Sequence, residues 1–272
     1  MKIGLCYRDF IHEEWIEGIF PHIDFIEIMP DITDVKTMKK LVELSNYHKV
    51  SIGIHSLKSS LGSKEGVHTP SLNKYFFQHH YCNAEYFSDH AAFSHLQGKY
   101  LSTVFPISYS KKSVEILAKN LETVKEYFPD LILVENITQN QLSSDNELTE
   151  AQFFKTLMDV TSKEIKLMFD VTNAYVTSFN NNISFTDYIN EYPFDDVICV
   201  HVSGFTRLKN GFLRDSHANG LDQEILDSLK LILKKCNPKY LLLERDFGVH
   251  SLEDTLIDIQ KLKEASLENA LV

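Results

Sequence analysis

The chain is poor in the residues that punctuate or cross-link small proteins: its 272 residues include 10 glycines, 7 prolines, 4 cysteines and one tryptophan. So few glycines and prolines, with no low-complexity stretch, exclude a fibrous or linker-rich chain. Cys6, Cys82, Cys199 and Cys236 lie far apart and form no Cys-x-x-Cys pair, which argues against a zinc ribbon or a disulfide framework. Reduced, partly buried thiols are expected; Cys6, near a strand end, is the one weighed as a nucleophile against a plain buried thiol. No run approaches 18 apolar residues, and the opening MKIGLCYRDF has neither a basic leader nor a long apolar core. The expectation is a soluble, cytoplasmic protein without a membrane span. Positive charge is also in deficit: 27 Lys and Arg against 38 Asp and Glu leave a net charge of −11. That balance argues against nucleic acid as a general partner, because such binding rests on neutralising phosphates. No glycine-rich dinucleotide fingerprint is present, so neither a nicotinamide nor a flavin is expected.

What is present is a series of short apolar runs. With 43% hydrophobic residues the chain can bury a substantial core, and its length suits one (β/α)8 domain over residues 1–272. Eight candidate strands occupy 2–7, 24–29, 51–56, 84–89, 131–136, 165–170, 196–202 and 240–245. Most are continuous and β-branched, as parallel strands covered on both faces should be. The first and eighth starts lie 238 positions and seven intervals apart, about 34 residues per interval, which matches a βαβ unit. Between the strands lie helical segments such as VKTMKKLVELSN and KKSVEILAKNLETVKEYF. A capping box, Thr149 to Gln152, opens another, and the last helix starts at Ser251. The fold class is therefore α/β, a closed TIM barrel in preference to an open sheet.

Nearly every apolar run ends in a metal-ligand residue. His55, His90, Glu135, Asp170 with Asn173, His201 and Glu244 all follow strands, and one loop adds Asp215 and His217. Any one of them has an ordinary structural explanation: a hydrogen-bonded histidine, a turn cap, a carboxylate paired with an arginine. Four histidines and four carboxylates at corresponding strand ends are harder to explain separately, since C-terminal strand tips converge on one mouth of a barrel. Buried together without cations, the carboxylates would repel one another and raise their own pKa values. Imidazole and oxygen donors without thiolate suit iron, manganese or zinc. The remaining histidines, at 12, 22, 48, 68, 79, 80, 95 and 250, are read as solvated or capping groups. Phe76, Phe77, Phe153, Phe154 and Trp15 are read as packing residues.

In Gly53-Ile-His55, Ser88-Asp-His90, Glu135-Asn136, Asp170-Val-Thr-Asn173, His201-Val-Ser-Gly204, Asp215-Ser-His217 and Glu244-Arg-Asp-Phe247, the chain resembles the multinuclear non-haem iron-dependent oxidative enzymes, which modify ribosomally made peptides. The resemblance covers essentially the whole chain. Within that family, the segments around Asp170 and Glu244 look most like the oxidase type of methanobactin biosynthesis. The resemblance implies two or three iron ions, Fe(II) or Fe(III), with dioxygen as cosubstrate. It also implies a cysteine-containing precursor peptide as substrate, converted to an oxazolone with a neighbouring thioamide. A smaller leader-binding partner protein, forming a heterodimer, is implied as well. Asp246, beside Glu244, is the candidate proton acceptor, against a salt bridge with Arg245 or a lysine. The segments Cys6–Asp9 and His55–Ser60 depart from the methanobactin pattern, which leaves peptide and product open.

Three other readings share parts of this pattern. Abasic-site endonucleases of the same xylose-isomerase-like superfamily carry a trinuclear zinc centre with nearly the same order of ligands, but they place a histidine where this chain has Asn173. Sugar isomerases of similar barrels use a catalytic lysine or histidine pair that has no clear counterpart here. A non-catalytic scaffold holding metal and peptide is the reading outside enzyme chemistry.

Overall fold

The computed structural model describes residues 1–246 and 251–270. Strands among them are β1 (Lys2–Tyr7), β2 (Phe25–Ile28), β3 (Ser51–His55), β4 (Phe87–His90), β5 (Ala92–Leu96), β6 (Lys99–Pro106), β7 (Ile132–Glu135), β8 (Lys166–Asp170), β9 (Val197–Val202), β10 (Phe205–Arg207), β11 (Leu213–Asp215) and β12 (Tyr240–Leu243). Eight of these close into a parallel barrel in the order β1-β12-β9-β8-β7-β4-β3-β2. All eight barrel strands fall within the runs expected from the sequence or overrun them by one residue. Helices follow as anticipated, at 35–48, 111–127 and 150–160 among others. The capping box is complete: Gln152 N donates to Thr149 Oγ1 at 3.2 Å, and Thr149 N donates to the Gln152 side chain at 3.1 Å. At the last helix, Asp254 N donates to Ser251 Oγ.

Two antiparallel hairpins, β5–β6 and β10–β11, were not anticipated. β6 is largely exposed along its length, so no buried face imposed the alternation by which a strand is read. β10 and β11 are three residues each, too short for any period to register.

Two apolar layers make up the core. One lies between barrel and helices and takes in Phe153, Phe154 and, at its edge, Trp15 and Phe76. Phe77 does not join it and is 71% exposed, because it points away from the face its neighbour Phe76 buries. The other fills the barrel with Cys6, Phe25, Tyr86, Leu133, Met168, Cys199, Tyr240 and Leu242. All four cysteines are free and buried, more completely than expected. Two histidines read as solvated are buried: His12, whose Nδ1 accepts from Arg8 N, and His95, which stacks on His68 with ring centroids 3.9 Å apart. Phe247 and His250 lie outside the described residues. No helix among those described is long and apolar enough to cross a membrane.

Candidate metal centre

Strand register brings the expected ligands level with one another. His90 lies opposite Glu135 across β4 and β7, and Asp170 lies opposite His201 across β8 and β9. His55 ends β3, and Glu244 follows β12 with its backbone N–H on Val202 O. Among the expected ligands two groups of donor atoms result, each with all members within 4.8 Å: His55, His90 and Glu135, and then Glu135, Asp170, His201 and Glu244. Glu135 belongs to both.

His217 forms the remaining side. It stands in left-handed backbone (φ 51°), and Asp246 N donates to its carbonyl. Its Nε2 is 2.8 Å from Asp215 Oδ1, while Nδ1 is 3.4 Å from Glu244 Oε2 and 3.0 Å from Asp246 Oδ2. Asn173 lines the same cavity; its Oδ1 accepts from Thr138 Oγ1, which also reaches Asp215 Oδ2 at 3.2 Å. The cavity above the centre holds about 260 Å³, with Thr103, Val104 and Arg214 among its walls.

Neighbouring motif residues aim the donors. Ser88 Oγ sits 2.9 Å from His55 Nδ1, which leaves Nε2 facing Glu135 Oε2 at 3.4 Å. Asp89 Oδ1 lies on the Nδ1 side of His90, whose Nε2 is 3.2 Å from Glu135 Oε2. Asn136 bonds both backbone polar groups of Asp170. Asp170 Oδ1 caps the helix that follows by accepting from Asn173 N at 2.6 Å, so Oδ2 is left for the centre.

The fit to metal can be tested on atoms without partners. Buried polar groups are nearly always hydrogen-bonded. Here Glu135 Oε2, Asp170 Oδ2, His201 Nδ1, Asp215 Oδ1 and both ring nitrogens of His217 are buried without a hydrogen bond, although several lie near opposite charges. Six orphaned donor atoms on five expected ligands suit cations that the protein itself does not provide.

The electrostatics are mixed. Burial, reinforced by Glu135 and Glu244, pushes the Asp170 carboxyl well above the usual range, as expected of crowded carboxylates. Glu244 departs from that expectation: burial raises its pKa, but His201, His217 and Arg8 outweigh it and hold the value down. Burial lowers the His55 imidazole, whereas at His90 the opposing pull of Glu135 and Asp89 prevails and brings it to about 9. At His201 and His217 burial is likewise outweighed by surrounding acidic groups, and both pKa values are raised.

Sequence reasoning missed two charged residues here. Arg8 is buried and bridges Glu244 Oε1 at 2.9 Å and Asp246 Oδ1 at 2.5 Å. Asp246 therefore pairs with Arg8, while Arg245 pairs with Asp258. Against the effect of burial, Arg8 and His217 hold the Asp246 carboxyl far below the usual range. An acid so strong is a weak proton acceptor, which lessens the role expected of it. Glu27, inside β2, accepts from Cys6 Sγ at 3.1 Å and Tyr86 Oη at 2.6 Å and lies 3.2 Å from His201 Nε2. Burial would raise Glu27, but His201, His55 and the Tyr86 hydroxyl bring it to about 2. Burial and Glu27 together push the Cys6 thiol well up, which with its full burial argues against a nucleophile. Each sits in the middle of an apolar run or beyond a strand, where only a polar residue inside a hydrophobic segment could have drawn notice.

The chain is similar to known proteins along most of its length. The family model described as RiPP precursor modification enzyme MbnB/TglH/ChrH matches residues 2–266. Among curated relatives, a UPF0276 protein of Acinetobacter baylyi is 25% identical over 89% of this chain and 83% of its own length. A UPF0276 protein of Shewanella loihica is 25% identical over 96% and 93%. Among solved structures, a xylose isomerase domain containing protein from Salmonella typhimurium LT2 superposes with a TM-score of 0.69 at 13% identity, covering 97% of both chains. A D-allulose 3-epimerase from Methylomonas sp. gives 0.59 at 13%, covering 98% of this chain and 96% of its own. These two likenesses concern the fold alone, a xylose-isomerase-like barrel.

Proposed function

This chain belongs to the RiPP precursor modification enzyme family MbnB/TglH/ChrH, and on that footing we propose that it oxidises a cysteine of a ribosomally made precursor peptide, using iron and dioxygen. The observation that carries the metal part of this reading is the set of orphaned buried donors on Glu135, Asp170, His201, Asp215 and His217. His55, His90 and Glu135 would hold one ion, and Glu135, Asp170, His201 and Glu244 a second. Asp215 and His217, with Asn173 as an oxygen donor beside them, would complete a third. Oxygen and imidazole donors suit iron, which would supply the electrons for reducing dioxygen.

The chain's own residues supply place and environment. Glu135, Glu244 and His55 are buried and His90 is half-buried where they line the cavity, with Asp170 and His201 buried behind them, so a substrate side chain reaching the lining leaves water behind. Arg8 holds Glu244 and Asp246 in place, and Asp246 in turn steadies His217. Arg214 on the wall offers a cation to a peptide carbonyl or carboxylate. Tyr100 and Phe105, exposed on the β6 hairpin that contributes Thr103 and Val104, suit passage of a peptide or contact with a leader-binding partner. Methanobactin-type oxazolone and thioamide formation is the most specific form of the proposal.

The test is anaerobic purification with elemental analysis, followed by exposure to air with a cysteine-containing precursor peptide and the leader-binding protein. Two to three irons per chain and a loss of hydrogen mass at a cysteine support the reading. Stoichiometric zinc that iron cannot replace, or an unaltered peptide, overturns it.

A further inference from the structure

His201 makes polar contacts through both ring nitrogens. Nδ1 is 3.0 Å from Glu135 Oε1 and 3.6 Å from Glu244 Oε1, inside the candidate centre. Nε2 points the other way, into the barrel, to Glu27 Oε1 at 3.2 Å. A neutral imidazole has one N–H and one lone pair, and the hydrogen bond at one nitrogen decides which is left for a metal. Carboxylates face both nitrogens, but Nε2 also lies 3.8 Å from Cys6 Sγ, whose own hydrogen goes to Glu27, so Nε2 has a hydrogen-bond acceptor and Nδ1 has none; the hydrogen belongs on Nε2 and the lone pair on Nδ1. That nitrogen is one of the orphaned buried atoms.

Glu27 is itself held from three directions. Tyr86 donates to Oε2 at 2.6 Å and Cys6 to Oε1 at 3.1 Å, with His201 opposite. All four side chains are buried to 1% exposure or less. The backbone is shaped for the arrangement: Gly53 lies beside Glu27 in the β2–β3 ladder, and a Cβ there would stand 2.5 Å from Cζ of Tyr86. Only glycine leaves room for the ring whose hydroxyl reaches Glu27.

We propose that Glu27 is a positioning residue of the centre: it keeps His201 in the tautomer that presents Nδ1 to the metal, while Tyr86 and Cys6 hold Glu27 in place. This rests on the metal-centre reading above and adds a carboxylate–histidine–metal relay to it. It excludes the other use of these side chains, in which Cys6, Glu27, His201 and Glu244 bind an ion directly through sulfur and Nε2, as their mutual spacing within 4.8 Å would permit.

The test uses the full chain with Fe(II), Zn(II) or Co(II) alone. In Glu27→Gln the amide carbonyl can still accept from Tyr86, which turns the NH2 toward His201 and reverses the tautomer. Affinity for the ion held by His201, measured by chelator competition, should fall about 10- to 100-fold, while the metal-free variant melts as a folded protein. Glu27→Asp should recover part of the loss. Should Glu27→Gln fail to fold, Tyr86→Phe removes one support and should weaken binding about three- to tenfold. In zinc-loaded protein with ¹⁵N-labelled histidine, His201 should carry its proton on Nε2, and Cys6→Ser should keep its full metal content. Unchanged affinity in Glu27→Gln, a His201 proton on Nδ1, or loss of one ion and of a sulfur-to-Co(II) charge-transfer band in Cys6→Ser each overturns the inference. A wild-type chain that takes up no ion removes the centre itself, and the relay with it.

Discussion

His90 and Glu135 stand directly opposite each other on adjacent barrel strands, and their side chains meet with Nε2 and Oε2 3.2 Å apart. The same carboxylate group reaches His55 through Oε2 at 3.4 Å and His201 through Oε1 at 3.0 Å. Glu135 is thus the one residue shared by both candidate donor groups, which sets the first prediction.

Glu135→Ala should damage both groups and leave little bound metal, whereas His217→Ala should lose about one ion and keep its fold. Metal content per chain, with circular dichroism as a check on folding, separates the two. Full retention in both variants refutes the assignment.

Chelation should lower the melting temperature. An ion that binds only the native state at a hundred times its Kd contributes about 2.7 kcal/mol. Melting the protein with and without chelator checks this, and a Tm indifferent to metal counts against a shared centre.

Arg8→Met should be costly in the metal-free state, on the order of 3–5 kcal/mol, because Glu244 and Asp246 lose their buried guanidinium. Bound cations should restore part of that loss by neutralising the same carboxylates. Denaturant unfolding of both forms measures the difference. Arg8→Lys should not rescue fully, since one ammonium cannot span both carboxylates as the planar fork does.

Glu150, away from the centre, provides a pH test. Buried among Tyr109 and Tyr188, which both donate to its Oε2, it is raised by that burial to about 7. The folded protein then holds a proton that the unfolded chain releases near 4.5. Stability from this group is complete below about pH 4.5 and declines as pH rises toward 7, by about 3 kcal/mol at most. Glu150→Gln should flatten that decline relative to wild type in melts from pH 4.5 to 8. Parallel curves would refute it.

The order of elements was legible because each depends on a local pattern. Apolar runs such as Ile132–Val134 and Leu241–Leu243 are continuous since barrel strands are buried on both faces, and helices between them carry their own caps, as Thr149 and Ser251 do. The candidate ligands were legible for the same reason: a charged residue ending an apolar strand marks the barrel's mouth wherever the strand sits. The β5–β6 hairpin carried no such mark, because its outer strand packs against nothing that would impose a period.

From sequence alone came the barrel, the mouth at which a metal centre is expected, and the nine residues expected there. Tertiary structure decided what those residues do to one another. Arg8 and Asp246 are 238 positions apart, and Cys6 and His201 are 195, so no spacing along the chain could pair them. Closure of β1 against both β2 and β12 brings Arg8 to Glu244 and places Glu27 under His201. Such pairings arise when a sheet closes on itself: the register of strands distant in sequence, set by packing around the whole ring, determines which polar atoms share the interior and which are left facing the centre.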